Sequence, residues 1–253
     1  MLERQTRRTT AALAIAGALL TLIFNALHPH PSDSTPQAFL RLVAAHSYWV
    51  TLHLGLSLGV LLIVGGLAGL TDALREAPGA RLARFGLLTV LLGASLFLVN
   101  FAIDGIAMQG IARAWTGAAP AEQATALRIA DALDRANFGL YTFETLLLPG
   151  LPFVLYGLAV VRSGSYPRLL GWVGVLGGSV SLAAGLLQAY TGRSPLASVL
   201  FVGGSMLVTL WMLMLGVAMW RLAGRSSTAV EPAALVGPGR QLRQETGLPH
   251  LTA

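Results

Sequence analysis

An all-α polytopic membrane bundle with about six transmembrane helices is the fold class this sequence predicts, and three observations predict it. The first is composition: the 253-residue chain is 55% hydrophobic and only 11% charged, with a mean hydropathy of +0.68. A water-soluble domain carries roughly 25% charged residues to solvate its surface. A chain with under half of that would expose large apolar patches in water, whereas lipid accepts apolar side chains. The second is length: six stretches reach the roughly 20 mostly apolar residues that cross hydrocarbon at 1.5 Å per residue. The third is charge placement. All 17 basic residues are Arg, and they fall near the ends of those stretches, between them and in the tail.

The first span runs from Thr9 to Ala26. Arg4, Arg7 and Arg8 precede it like the basic start of a secretion signal, but the apolar run is long and no small-x-small site follows. A retained anchor is therefore expected. Residues 28–45 form a proline- and histidine-containing loop in which Gln37 to Ala45 fits a short surface helix. The second span runs from Ser47 to Leu70, and Thr71 to Arg84 reads as a longer connection. The third span is Phe85 to Ile106. In the loop 107–136, Ala121 to Arg135 carries apolar Ala124, Leu127, Ile129, Ala130 and Leu133, and Pro120 suits the first turn of a helix. That helix either lies on the surface or runs straight into the fourth span, Phe138 to Val161.

Within the fourth span, Pro149-Gly150-Leu151-Pro152 predicts a kink, because proline lacks a backbone donor and clashes with the preceding turn. The fifth span is Leu169 to Tyr190 and the sixth Ala197 to Met219. Both are rich in small residues, including Gly171, Gly174, Gly177, Gly178, Gly185, Gly203 and Gly204, which permit close helix contact. Residues 1–222 read as one bundle domain. Residues 223–253 hold Gly, Pro, Ser and Arg without periodicity and read as a disordered cytoplasmic tail.

Orientation follows from the arginines. With the N-terminus inside, cytoplasmic segments hold 12 of them and the outer segments hold five: Arg41, Arg113, Arg128, Arg135 and Arg193. The excess predicts a cell-membrane protein with both termini cytoplasmic. The net charge of +6 thus reports membrane topology and points to the bilayer as partner, not to nucleic acid. The absence of Cys excludes disulfides, thiolate metal sites and iron–sulfur clusters.

Polar side chains locate the chemistry. Each costs several kcal/mol in hydrocarbon unless paired or hydrated, so they are expected to face the bundle interior. Asn25 lies near the outer end of the first span. His46, Trp49 and His53 follow one helical face of the second. Asn100 and Asp104 close the third span one turn apart. Asn137, Tyr141 and Glu144 share a face of the fourth, and Gln188 ends the fifth. All lie in the outer half, which predicts a polar pocket open to the extracytoplasmic side. Glu144 sits about 10 Å in along its helix, and a carboxyl group in an apolar cavity can donate a proton. Glu144, Asp104 and His53 are thus the catalytic candidates. Asn100, Asn137, Tyr141, Trp49, Asn25 and Gln188 are the ligand-binding candidates.

His28, His30, Asp33 and His46 offer donors that suit zinc or copper. Two of those histidines flank prolines in a loop, where solvated imidazoles are common, so no metal site is assigned and no cofactor is expected. Bis-histidine haem needs imidazoles facing each other from different helices. His46 and His53 share one helix in this reading, and the third to sixth spans hold no His. Transport fits poorly, since only one helix looks broken and the polar groups are off-centre.

The stretch Ser165-Tyr166-Pro167-Arg168-Leu169-Leu170-Gly171-Trp172, running into Gly174, Gly177 and Ala183-Ala184-Gly185-Leu186-Leu187, resembles the bacterial six-helix membrane family catalogued as domain of unknown function 4386. There a serine-x-proline-arginine turn enters a Trp- and Gly-rich helix. The resemblance implies six spans and supplies no activity, so no catalytic residue is carried over. Two functions are open to such a chain. One is binding or sensing a small hydrophobic molecule in the polar pocket. The other is acid/base chemistry by Glu144 and Asp104 on a lipid-soluble, isoprenoid-like substrate.

Overall fold

The computed structural model describes residues 2–29 and 35–225. Among them are α1 (Leu2–Ala26), α2 (Pro36–Ala45), α3 (Trp49–Ala73), α4 (Ala80–Phe101), α5 (Met108–Gly117), α6 (Pro120–Thr145), α7 (Leu151–Ser163), α8 (Arg168–Thr191) and α9 (Pro195–Arg225), and no strand. A π-helical turn over Ala102–Ala107 fuses α4 to α5, and another over Leu146–Gly150 fuses α6 to α7. The result is six rods long and apolar enough to cross a membrane. Pro149 lies inside the second π-helical turn, so the expected break falls where its missing N–H and its ring oppose a regular α-turn.

The rods close into a ring. α1 packs on α3, α3 on α4, α4 on α7, α7 on α8, α8 on α9, and α9 back on α1. Each step is antiparallel. Gly17 meets Gly59 and Ile63 while Gly69 meets Thr10, and Gly204 meets Ser181 while Gly174 meets Trp211. Close approach here requires glycine. A Cβ on Gly157 would stand 2.5 Å from the Val175 nitrogen and 2.6 Å from the Gly171 oxygen. The small residues of the fifth span are thus a contact face.

Arg8 lies over the Trp220 ring at 5.6 Å, so the start of α1 and the end of α9 share one face of the bundle. We call this the terminal face and its opposite the α2 face. The main core fills the terminal half, with Leu67, Leu70, Val90, Tyr156, Trp211 and Leu215 fully enclosed. Its polar atoms are partnered. The Tyr156 hydroxyl lies 2.7 Å from Thr71 Oγ1 and 3.2 Å from the Leu67 carbonyl, and Trp211 Nε1 donates to the Leu170 carbonyl at 2.7 Å. Leu54, Leu58, Leu61, Leu88, Leu92, Val199 and Val202 point outward, which suits lipid and not water.

The rod from Ala80 to Gly117 has 38 residues. At 1.5 Å per residue it measures about 57 Å, nearly twice the hydrocarbon thickness of about 30 Å. The excess projects on the α2 face. There α5 and the first half of α6 form a helical hairpin, and α2 packs on it through a second core of Leu40, Val43, Trp49, Met108, Ala112 and Ala130. Thr35 Oγ1 caps α2 by accepting from the Ala38 nitrogen, with Pro36 at the first helical position.

Several expected boundaries move. The segment Ala121 to Arg135 does not lie apart but runs straight into the fourth rod. Thr71 to Arg84 is mostly helix, leaving a short turn between α3 and α4. α9 continues to Arg225, past the expected domain boundary, and the tail beyond it lies outside the described residues, as do His30 and Asp33.

Candidate functional site

His53 is the centre of the most connected polar group. It sits one turn into α3 and is 2% exposed. Its Nδ1 lies 2.8 Å from the Trp49 carbonyl, which only accepts, so Nδ1 carries a proton. Its Nε2 lies 2.9 Å from Asp104 Oδ2. Asp104 is presented by the π-helical turn after α4, and its backbone carbonyl accepts from Trp49 Nε1 at 2.8 Å. Gly105 makes the approach possible: a Cβ there would fall 2.6 Å from His53 Cβ. The ring of His28, just past α1, stands 5.0 Å from Trp49 and 5.4 Å from His53, and Phe101 closes the other side at 4.8 Å. Three helices of the ring meet at this point.

A second group lies between α4, α6 and α8. Asn100 Nδ2 donates to the Asn137 carbonyl at 3.3 Å. Glu144 is buried, shares no hydrogen bond with any described residue, and lies within electrostatic reach of Asp104 and of Tyr141. The Tyr141 hydroxyl faces the Gln188 side chain. Three enclosed oxygens of this group have no partner among the described residues: Asn137 Oδ1, Glu144 Oε2 and Gln188 Oε1. At the rim, Arg193 holds Asp134 through two contacts of 2.7 and 2.8 Å and lies over the Phe138 ring at 4.6 Å. This clamp ties the turn before α9 to α6.

The structure therefore gathers Trp49, His53 and Asp104 into one group and Asn100, Asn137, Tyr141, Glu144 and Gln188 into a neighbouring one. Asn25 joins neither; its side chain is exposed and turns back to the Thr21 carbonyl. His46 also stands apart, because α3 begins only at Trp49 and His46 instead ends α2, with Nδ1 on the Leu42 carbonyl. Two surface depressions, one at Gln5, Thr6, Thr9 and Thr10 and the other along Ala121 to Ile129, touch neither group. Sequence reasoning missed Gly105 and Phe101 as supports of His53. It grouped His28 with His30, Asp33 and His46 and not with His53 and Asp104.

Six antiparallel apolar rods closed into a ring, with ionisable side chains gathered toward one end, define a multi-pass membrane helix bundle. The model of the family described as domain of unknown function (DUF4386) matches residues 9–216, most of the chain, and the protein belongs to that family. The expected resemblance is thereby upheld. No curated protein and no solved structure matches the chain.

Proposed function

We propose that the protein binds a small hydrophobic molecule carrying a hydrogen-bond-donating head, a hydroxyl or an ammonium, in the half of the bundle next to the α2 face. The positive-inside bias assigns that face to the extracytoplasmic side. One observation carries the reading. The enclosed polar atoms without partners on α6 and α8 near the α2 face, Asn137 Oδ1, Glu144 Oε2 and Gln188 Oε1, are all acceptor oxygens. Each such group costs about 1–3 kcal/mol when left unmade. Acyl chains carry no donor, so an amphiphile with a donating head is the chemistry that satisfies them. The acid/base alternative has less support: Asp104 is engaged by His53 and shares no hydrogen bond with Glu144.

The test uses the purified full chain in detergent. Thermal unfolding is followed with a long-chain alcohol, the matching primary amine and the matching alkane. A ligand that binds only the folded state raises the midpoint by mass action. The alcohol or the amine is expected to stabilise while the alkane does not, and the effect is expected to vanish in Glu144→Gln combined with Gln188→Leu. Equal behaviour of all three compounds, or an undiminished effect in the double variant, sinks the reading.

A further inference from the structure

We propose that His28, His53 and Asp104 form a binding site for one divalent transition-metal ion, with zinc as the natural occupant of such a donor set. One ligand atom from each residue lies within 4.8 Å of the others. Zinc bonds nitrogen and carboxylate oxygen at roughly 2.0–2.2 Å, which puts tetrahedral ligand atoms about 3.3 Å apart. The 2.9 Å between His53 Nε2 and Asp104 Oδ2 has to open by about 0.4 Å, and His28 has to close in by up to about 1.5 Å.

Orientation of the rings is the second, independent observation. Metal-bound histidines hold the other ring N–H on a carbonyl or carboxylate, which fixes the tautomer and the plane. His53 does this with the Trp49 carbonyl at 2.8 Å, and His28 Nδ1 faces the Pro29 carbonyl at 3.0 Å. With its proton on Nδ1, a neutral His53 turns the Nε2 lone pair toward an oxygen of Asp104. Two electron-rich atoms at 2.9 Å need a positive centre between them. That centre is either a proton or a metal ion, and the arrival of His28 on the same spot favours the ion.

The surroundings also suit a metal. Asp104 comes from a π-helical turn, a local widening that recurs at functional positions. Gly105 leaves room for His53, and Trp49 and Phe101 enclose it. The Asp104 side chain keeps 21% exposure, so an ion has an entry path. Two imidazoles and one carboxylate are a hard-to-borderline set that fits zinc or iron(II), and three protein ligands leave a coordination position open. The site departs from the grouping of His28, His30, Asp33 and His46 that the sequence suggested, and from the expectation of no metal. It shares no residue with the three unpartnered acceptor oxygens and stands or falls apart from the amphiphile reading.

The full chain, purified in detergent and stripped with a chelator, is titrated with Zn²⁺ and with Co²⁺, whose visible bands report its ligand geometry. One ion per chain is expected. His28→Gln, His53→Gln and Asp104→Asn are each expected to weaken binding by about 100-fold or more, since loss of even an outer-shell partner can cost that much. His46→Gln is expected to bind as the parent does. Size-exclusion profiles confirm which variants are folded, and Asp104→Asn, the most conservative change, decides if His53→Gln does not fold. Failure of the parent chain to take up either ion overturns the site and shows that a proton bridges His53 and Asp104. Uptake that none of the three variants alters overturns it as well. Loss of amphiphile stabilisation without loss of zinc, or the reverse, separates this site from the one around Glu144.

Discussion

The two halves of the bundle solve the membrane problem differently. In the terminal half, glycines bring backbones together, aromatic and aliphatic side chains fill the core, and Tyr156, Thr71 and Trp211 place their polar atoms on partners. In the half toward the α2 face, helices swell into π-helical turns, a carboxyl group and two amides keep unpartnered oxygens, and an imidazole faces a carboxylate. Packing of the first kind stabilises. Arrangements of the second kind lower stability and persist where a site needs them. On the two proposals made above, the terminal half is the scaffold and the other half is what the scaffold holds.

The largest expected effect breaks the scaffold. Gly157→Val puts a side chain into the backbone of α8, where Val175 and Gly171 already stand within van der Waals contact of a missing Cβ. Overpacking of a rigid contact costs about 3 kcal/mol, the upper part of the usual range. Thermal unfolding in detergent should show the loss, and a variant as stable as the parent would mean that α7 and α8 are not tightly packed. Tyr156→Phe is milder. It removes a hydroxyl that faces Thr71 and the Leu67 carbonyl and should cost about 1–1.5 kcal/mol, read by the same melt.

Glu144→Leu inverts the sign. The variant removes a buried acceptor that no described residue satisfies and replaces it with an apolar side chain of similar length. The chain without ligand should gain about 1 kcal/mol and lose its stabilisation by the long-chain alcohol or amine. A destabilised variant would show that Glu144 supports the bundle, and the contrast between the halves would fail at its most informative residue.

Much of this contrast was legible in the sequence. The six spans follow from apolar length alone, and the break in the fourth from Pro149, because both depend on local chemistry that composition displays. The burial of His53 and Glu144 followed from the cost of bare ionisable groups in hydrocarbon. The π-helical turn at Ala102–Ala107 was hidden. It contains no proline, and one added residue per turn leaves no mark in an apolar pattern. The meeting of His28 with His53 and Asp104 was hidden as well. It depends on how the end of α1 lies against α3 and α4, and the spacing of residues 28, 53 and 104 carries no trace of it. His46 was misgrouped because an aromatic and polar run at 46–49 continues the helical spacing of α3, while the chain turns there to finish α2.

The smallest effect sharpens the comparison by asking one residue type to behave oppositely in the two regions. Gly110 is the third residue of α5, in the hairpin beyond the bundle, and a Cβ there would meet nothing within 4 Å. Its only consequence for stability is the backbone freedom it gives up on folding. Gly110→Ala should therefore stabilise, by about 0.5–1 kcal/mol, where Gly157→Val destabilises. The melt of the full chain reports this only if the hairpin unfolds with the bundle. Hydrogen exchange of α5 amides gives the local value in either case, with slower exchange expected in the variant. Faster exchange would mean that α5 packs against something at Gly110 that its open surroundings do not contain. The α2 side would then be a covered surface, and its glycines would answer to the same packing rule as those of the terminal half.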